Sequence, residues 1–150
     1  MPQSLAKNLV HLIYSTKNRD ACLTAAIRPP LFAYQAGIFQ EWESPAIVIG
    51  GDVDHVHALF VLSKYHALRK VIEEVKKGSS KWIKTQDSLF AAFHWQNGYG
   101  AFSVSQSHVA QARCYIRHQP EHHRTRSFQE EFRLFLRRYG IEYDGRYVWD

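Results

Sequence analysis

Two histidines at alternating positions, His55 and His57, are the residues of this sequence best placed to do chemistry. They follow a turn rich in glycine and aspartate, Gly50 to Asp54, and begin an apolar run that reaches Leu62, which predicts a strand. Successive side chains of a strand point to opposite faces, so both imidazoles project from the same face. Such a pair provides half of a metal site and leaves positions free for a substrate. Two ordinary strand histidines would look the same, so this interpretation needs further residues.

A tyrosine and a glutamine late in the chain share a helix surface. Apolar residues at helical spacing predict a helix over His108 to Gln119. Tyr115 and Gln119 lie outside that apolar stripe and are four residues apart, which makes them neighbours on the helix. Core packing therefore does not explain this tyrosine.

Basic and aromatic residues predict contacts with a polyanion. Lys17 and Arg19 end the first predicted strand, and lysines flank a serine pair beside Gly78. Lysines at the start of a helical turn can bind phosphate together with free backbone amides, and an aromatic ring can stack on an unpaired base. A solvated helix end explains the same lysines equally well. The residues that we expect to contact nucleic acid are Lys17, Arg19, Lys76, Lys77, Lys81, Trp95, Arg113 and Arg117.

The order of the predicted elements gives the fold. A first strand within Leu5 to Arg19 has both faces at least half buried, because Val10, Leu12 and Tyr14 alternate with Leu9, His11 and Ile13. The elements that follow are a helix after Pro29, a strand from Ala46, the histidine strand, a helix from Leu68 ended by Gly78, a strand within Phe93 to Ser105, the tyrosine helix and a capped helix from Ser127.

This βαββαβ order predicts an α+β, ferredoxin-like fold: a four-stranded antiparallel sheet with helices on one face, plus an extra C-terminal helix. The histidine strand would be central, and its imidazoles would lie on the uncovered face. No linker or repeat divides the chain, so we predict one domain over residues 1–150.

Composition limits the class of protein. The chain has 150 residues, 45% of them hydrophobic, with 19 Lys and Arg against 14 Asp and Glu, which favours a polyanionic partner. Seven arginines and three glutamates lie between positions 108 and 138. No apolar run could span a bilayer and no basic amphipathic helix stands out, so we expect no membrane partner. Cys22 and Cys114 are unpatterned, as in a reducing compartment, and we expect a cytoplasmic protein.

Two motifs together resemble a known family. Asp54-His55-Val56-His57 on a strand, followed by Tyr115-Ile116-Arg117-His118-Gln119 on a late helix, is similar to the single-tyrosine HUH transposases. These are small insertion-sequence enzymes that move single-stranded DNA, with the related REP-associated tyrosine transposases. The resemblance covers nearly the whole chain and includes segments 15–19, 78–83, 95–104 and 127–132.

The resemblance implies a DNA transposase that cleaves and rejoins single-stranded DNA near hairpins. Tyr115 would attack a phosphodiester and form a covalent 5′-phosphotyrosine, which keeps the bond energy for rejoining. His55, His57 and Gln119 would hold a divalent metal ion, and their donor set suits Mg²⁺ or Mn²⁺. The family also implies a homodimer in which the tyrosine helix of one subunit completes the histidine site of the other.

Two positions depart from the family pattern. His118 stands where the family has asparagine, and Pro120 follows Gln119 directly, which disfavours helical geometry at Gln119. Gln119 could then lie at a frayed helix end, with His122 or His123 as a substitute ligand.

Two other functions are compatible with parts of the pattern. A non-catalytic module that binds single-stranded nucleic acid would need only the aromatic residues and the arginines. A nucleotide hydrolase of the histidine-triad type would need a third histidine at position 59, where this chain has leucine.

Overall fold

The computed structural model describes residues 2–149 and contains one antiparallel sheet of four strands. The strands are β1 (Asn8–Ser15), β2 (Ala46–Gly51), β3 (His55–Leu62) and β4 (Gly100–Ser103), in the order β2-β3-β1-β4. The two histidines therefore lie on a central strand. The turn between β2 and β3 forms the predicted hairpin, and the ferredoxin-like α+β fold is confirmed.

Within residues 2–149, five α-helices accompany the sheet. They are α1 (Arg28–Glu41), α2 (Leu68–Ile83), α3 (Val109–Arg117), α4 (Gln119–His122) and α5 (Phe128–Arg138). Short 3-10 turns occupy Lys17–Arg19, Ser88–Phe90 and Gln106–His108. In residues 2–149 no helix is both long and apolar enough to cross a membrane.

The main core lies between the sheet and the helices α1 and α2. Alternate side chains of β1 and β3, such as Leu12, Tyr14 and Phe60, point into it and are fully buried. The Tyr14 hydroxyl accepts a hydrogen bond of 2.6 Å from Gln35 Nε2, which satisfies a polar atom that burial would otherwise make costly. This core fixes the two central strands and with them the side chains on the opposite face.

The opposite face, which we expected to be uncovered, is covered by the C-terminal helices. α5 begins with a capping box between Ser127 and Glu130, and its aromatic stripe needs an apolar surface to bury. Ile13 of β1 and Phe102 of β4 provide that surface and form a second core with Phe128, Phe132 and Leu136. As a result, the side chains of His55 and His57 are completely buried.

The predicted end of the second helix at Gly78 is wrong, because α2 continues to Ile83. Gly78 is instead a contact point between α1 and α2: a Cβ atom there would lie 2.7 Å from Ile38 Cδ1. Because Gly78 has no side chain, the two helices can pack closely at this point, and the glycine does not mark a helix end. The amides of residues 79–81 are inside a continuous helix and are not free to bind phosphate, so a phosphate contact here would depend on the lysine side chains alone.

Candidate functional site

The imidazoles of His55 and His57 lie side by side on β3, with ring centroids 5.2 Å apart. Each ring has a partner at Nδ1. His55 Nδ1 lies 2.7 Å from Asp54 Oδ1, and His57 Nδ1 lies 2.8 Å from Nε2 of His11 on the neighbouring strand β1. Partners at Nδ1 orient both rings and direct both Nε2 atoms towards the same region, as is common for metal-binding histidines.

A carboxylate meets these two nitrogen atoms. Glu131 Oε1, from α5, lies 2.8 Å from His57 Nε2 and 3.8 Å from His55 Nε2. The potential ligand atoms of the three residues all lie within 4.8 Å of one another, and all three residues are buried. Two imidazole nitrogens and one carboxylate oxygen form a donor set that suits a divalent metal ion. His55, His57 and Glu131 could therefore hold one.

Gln119 belongs to the same cluster. α3 ends at Arg117, and Gln119 begins the short helix α4, with Pro120 in the first turn, where a proline removes no intrahelical hydrogen bond. This break turns Gln119 inward rather than fraying it. Its Oε1 lies 2.9 Å from both His55 Nε2 and His123 Nε2. Its Nε2 is buried and has no hydrogen-bond partner among the residues that the structure describes, a costly arrangement at a structural position.

Tyr115 reaches this cluster from α3. Its hydroxyl donates a hydrogen bond to Glu131 Oε2, while Oε1 of the same carboxylate faces His57. The tyrosine ring stacks on His122, with centroids 4.6 Å apart, and lies 6.0 Å from the His57 ring. One chain thus brings together the tyrosine and both histidines.

The charges of the cluster follow from its burial. Burial lowers the pKa of His57 to about 4, although Glu131 acts in the opposite direction. Burial by itself would raise the pKa of Glu131, but hydrogen bonds from His123 and His57 hold that pKa well below its usual range. At neutral pH the cluster therefore contains a neutral imidazole and a carboxylate anion, the forms that bind metal ions.

The phenol of Tyr115 is held in its protonated form. Burial and the nearby negative charge of Glu131 raise its pKa above the ordinary value, since both disfavour the tyrosinate anion. The guanidinium of Arg126 acts in the opposite direction. Glu131 accepts the hydrogen bond of this hydroxyl and so orients it.

Gly50 determines how close the tyrosine helix comes to the sheet. A Cβ atom on Gly50 would lie 2.2 Å from the carbonyl oxygen of Ile116, so only glycine fits where α3 crosses β2. Ile116 itself is fully buried under the helix. Residues next to Ile116 in sequence, including Tyr115, are thereby fixed relative to the β2–β3 hairpin.

The predicted basic residues fall into separate groups. Arg113 and Arg117 are exposed on α3 and line one shallow cavity. Lys77 and Lys81 are exposed on α2, on the other face of the sheet, and do not join the arginines. Lys17 is exposed after β1, whereas Arg19 lies 5.9 Å from the ring centroid of Trp149.

Lys76 and Trp95 contact other parts of the protein, whereas the sequence predicted that they contact nucleic acid. Lys76 Nζ donates hydrogen bonds to the carbonyls of Gln96 (2.7 Å) and Gly98 (2.8 Å), and burial lowers its pKa to about 8. Trp95 is buried in the main core, and its indole nitrogen donates a hydrogen bond of 3.0 Å to Ser79 Oγ. The prediction that Trp95 stacks on a base is not supported by this position, because its ring packs against Tyr14 and Phe93.

Sequence reasoning missed Glu131 and His11. Glu131 occupies a position in the apolar stripe of α5, three residues after Phe128 and next to Phe132. A carboxylate in such a stripe is itself a signal, since buried acids are rare without a partner. His11 alternates with Ile13 on β1, and Ile13 pairs directly with His57, so strand register brings His11 to the histidine face.

Comparisons with known proteins agree on one group. Residues 4–119 match a sequence family described as IS200-like transposases. A candidate transposase from Deinococcus radiodurans has a TM-score of 0.62 and 21% identity, over 75% of this chain and 91% of that chain. A REP-associated tyrosine transposase bound to a REP hairpin has a TM-score of 0.60 and 14% identity, over 81% of this chain and 72% of that chain. No curated protein matches. At these identities the two structures show a common fold.

Proposed function

Because this chain belongs to the family of IS200-like transposases, we propose that it cleaves and rejoins single-stranded DNA near hairpins, with Tyr115 as the nucleophile. One observation carries the proposal: the hydroxyl of Tyr115 and Nε2 of His57 meet the two oxygens of one buried carboxylate, Glu131. A tyrosine that a hydrogen bond orients beside a set of candidate metal ligands is an arrangement suited to phosphodiester cleavage.

In the proposed reaction the oxygen of Tyr115 attacks the phosphorus atom of a phosphodiester. The hydrogen bond to Glu131 Oε2 orients the phenolic oxygen, and the proton is released to water, because a carboxylate whose pKa is held well below its usual range is too weak a base to keep it. The bond from phosphorus to the 3′ oxygen breaks, and that oxygen leaves as a 3′-hydroxyl after taking up a proton. The product is a 5′-phosphotyrosine, and attack by another 3′-hydroxyl reverses the step and joins the strands.

His55, His57 and Glu131 would hold a divalent metal ion, with Mg²⁺ or Mn²⁺ as the candidates. The ion would supply charge that polarises the phosphate. Gln119 is a further candidate ligand, since its Oε1 lies 2.9 Å from His55 Nε2. Asp54 and His11 fix the orientation of the two imidazoles through their Nδ1 atoms.

Hairpin DNA is the proposed substrate. A structurally similar protein is a REP-associated tyrosine transposase bound to a REP hairpin. Exposed cations of this chain, above all Arg113 and Arg117 on the tyrosine helix, are candidates for contacts with phosphates. Lys17, Lys77 and Lys81 are exposed as well, and with Arg19 they stay predictions.

The predicted homodimer with shared sites also stays a prediction. The arrangement within one chain favours an alternative in which Tyr115 acts on a phosphate at the histidines of its own subunit, because Tyr115 already contacts Glu131 there. Exchange of α3 between subunits would place the same groups together in a dimer. Mixing two inactive variants separates the arrangements.

A covalent adduct tests the proposed chemistry. Single-stranded oligonucleotides with a hairpin and randomised flanks, labelled at the 3′ end, are incubated with the protein and Mn²⁺ or Mg²⁺ and separated on a denaturing gel. We expect labelled protein with the wild type and with the control Tyr65→Phe, which changes an exposed tyrosine. Tyr115→Phe should bind the DNA and form no adduct. If the wild type binds hairpins without an adduct in either metal, the non-catalytic binding module is the correct function.

A further inference from the structure

A cavity of about 640 Å³ opens beside Tyr115, and neither His55 nor His57 lines it. His11, Tyr115 and Glu131 line the end nearest the proposed metal site. The other walls come from the end of β4, from α3 and from the C-terminal half of α5, where Phe135 and Tyr139 lie. The volume is within the range of roughly 300–1,000 Å³ that is typical of sites for small ligands.

Two arginines line this cavity from opposite ends of α5. Arg126 precedes the helix and Arg138 ends it, and both side chains are exposed. Within residues 2–149 neither guanidinium forms a salt bridge. Two guanidinium groups with free donors are suited to phosphate oxygens.

The wall between these arginines is aromatic. Tyr139 is 40% exposed, and its ring stacks on Phe102 with centroids 4.7 Å apart. Its hydroxyl donates a hydrogen bond of 3.3 Å to the Ser103 carbonyl, which ties the ring to β4. Phe135 is half-buried, and the guanidinium of Arg138 lies 5.9 Å from its ring centroid. Fixed aromatic rings beside cations suit an unpaired base and its phosphates.

We propose that this cavity binds the unpaired nucleotide next to the phosphate that Tyr115 attacks, with the base against Phe135 and Tyr139 and phosphates on Arg126 and Arg138. The inference rests on the proposed function and adds a nucleotide site to it. A base paired in a duplex cannot enter the cavity without leaving its stack, so the site favours single strands.

The test measures binding with Tyr115→Phe protein, so that cleavage plays no part. The probe is fluorescein-labelled dT12, read by fluorescence anisotropy. Arg126→Gln and Arg138→Gln, each made in that protein, should weaken binding roughly tenfold, as expected from the loss of charge-assisted hydrogen bonds. The matched controls are Arg124→Gln and Arg137→Gln, exposed arginines one or two positions away that do not line the cavity. They should change affinity less than about twofold.

A crosslink locates the base. In a second dT12 probe one central thymidine is replaced by 5-iodo-2′-deoxyuridine, and the irradiated complex is digested and mapped by mass spectrometry. We expect crosslinks to Phe135 or Tyr139. Equal losses in Arg137→Gln and Arg138→Gln, or crosslinks only outside residues 134–139, would overturn the inference and indicate a general basic surface.

Failure of this inference differs from failure of the proposed function. If the wild type forms the covalent adduct and the arginine variants match their controls, the nucleotide site is wrong and the transposase chemistry stands. If no adduct forms while dT12 binds with the expected pattern, the cavity is a nucleotide site in a protein without cleavage activity.

Discussion

The Tyr115 hydroxyl donates a hydrogen bond to one oxygen of Glu131, and the other oxygen of that carboxylate lies 2.8 Å from His57 Nε2. A single side chain on α5 therefore connects the candidate nucleophile to the candidate metal ligands. Its position assigns two tasks to its two oxygens, one as the hydrogen-bond acceptor that orients Tyr115 and one as a candidate metal ligand. Each task predicts a separate measurable effect of changing this residue.

Glu131→Gln should lower the pKa of Tyr115. Removal of the carboxylate charge takes away one of the two influences that disfavour the tyrosinate, while burial remains, so the pKa should fall but stay above the ordinary value near 10. NMR titration of protein with ¹³Cζ-labelled tyrosine measures it, with Tyr115→Phe for assignment. An unchanged pKa would mean that Glu131 does not act on the hydroxyl.

The Glu131→Gln variant should also bind Mn²⁺ at least about tenfold more weakly than the wild type, since a ligand is lost.

His57→Ala should abolish high-affinity Mn²⁺ binding, because one of the two strand imidazoles is removed. Isothermal titration calorimetry measures the affinity directly, without any cleavage. His66→Ala is the control, since His66 lies away from the cluster, with its Nε2 3.7 Å from Glu43 Oε1. If excess Mn²⁺ restores adduct formation, the rescue should be only partial. Wild-type Mn²⁺ affinity in His57→Ala would make the strand pair structural.

His11→Phe tests whether the neighbouring strand positions His57. Phenylalanine keeps a ring against Phe135 and removes the partner of His57 Nδ1. We expect Mn²⁺ affinity to fall about 10- to 100-fold, the usual cost of losing a hydrogen-bond partner behind a metal ligand. His11→Gln keeps a polar partner and should recover part of the affinity. If both variants bind Mn²⁺ like the wild type, His11 only fills space.

The sheet, and the face of it that carries the histidines, were predictable because successive side chains of a strand point to opposite faces. Alternation along β1 put His11 and Ile13 on one face, and the glycine–aspartate turn before β3 fixed the side on which His55 and His57 project. The hydrophobic pattern alone determines such assignments once a strand is recognised.

The packing of α5 over that face was not predictable in the same way. Whether α5 packs back onto the sheet depends on tertiary contacts between its aromatic stripe and residues such as Ile13, which are far away in sequence. Glu131 becomes a site residue only through that packing. Likewise, Gly78 resembles a helix end in sequence, while its role depends on Ile38 of another helix.

Lys76 should contribute to stability and Lys77 should not. Lys76 Nζ donates hydrogen bonds to the carbonyls of Gln96 and Gly98, whereas Lys77 is exposed on the same helix. Lys76→Ala is expected to lower the free energy of unfolding by about 1 kcal/mol, because the loss of hydrogen bonds to two carbonyls outweighs relief of the burial that lowers the pKa of Lys76, and Lys77→Ala by less than about 0.5 kcal/mol. Urea denaturation measures both. Equal stabilities would show that the Lys76 contacts carry no net free energy.

The last prediction concerns which chain supplies the nucleophile. Tyr115 contacts Glu131, and Glu131 contacts His57, all within one chain. Mixing His57→Ala with Tyr115→Phe separates a site within one subunit from a shared one. In the first arrangement every site keeps one defect, so the mixture should form no adduct, and this is the outcome that we expect.

A shared site behaves differently in the same mixture. A mixed dimer would contain one site with both defects and one with neither. Random exchange makes about half the dimers mixed, each with one live site of two, so adduct formation would return to roughly a quarter of the wild-type level. Subunit exchange must be shown separately, for example by energy transfer between labelled subunits. Recovery near a quarter would contradict the arrangement within one chain and would establish the shared-site homodimer, because no other pairing of these two variants restores an intact site.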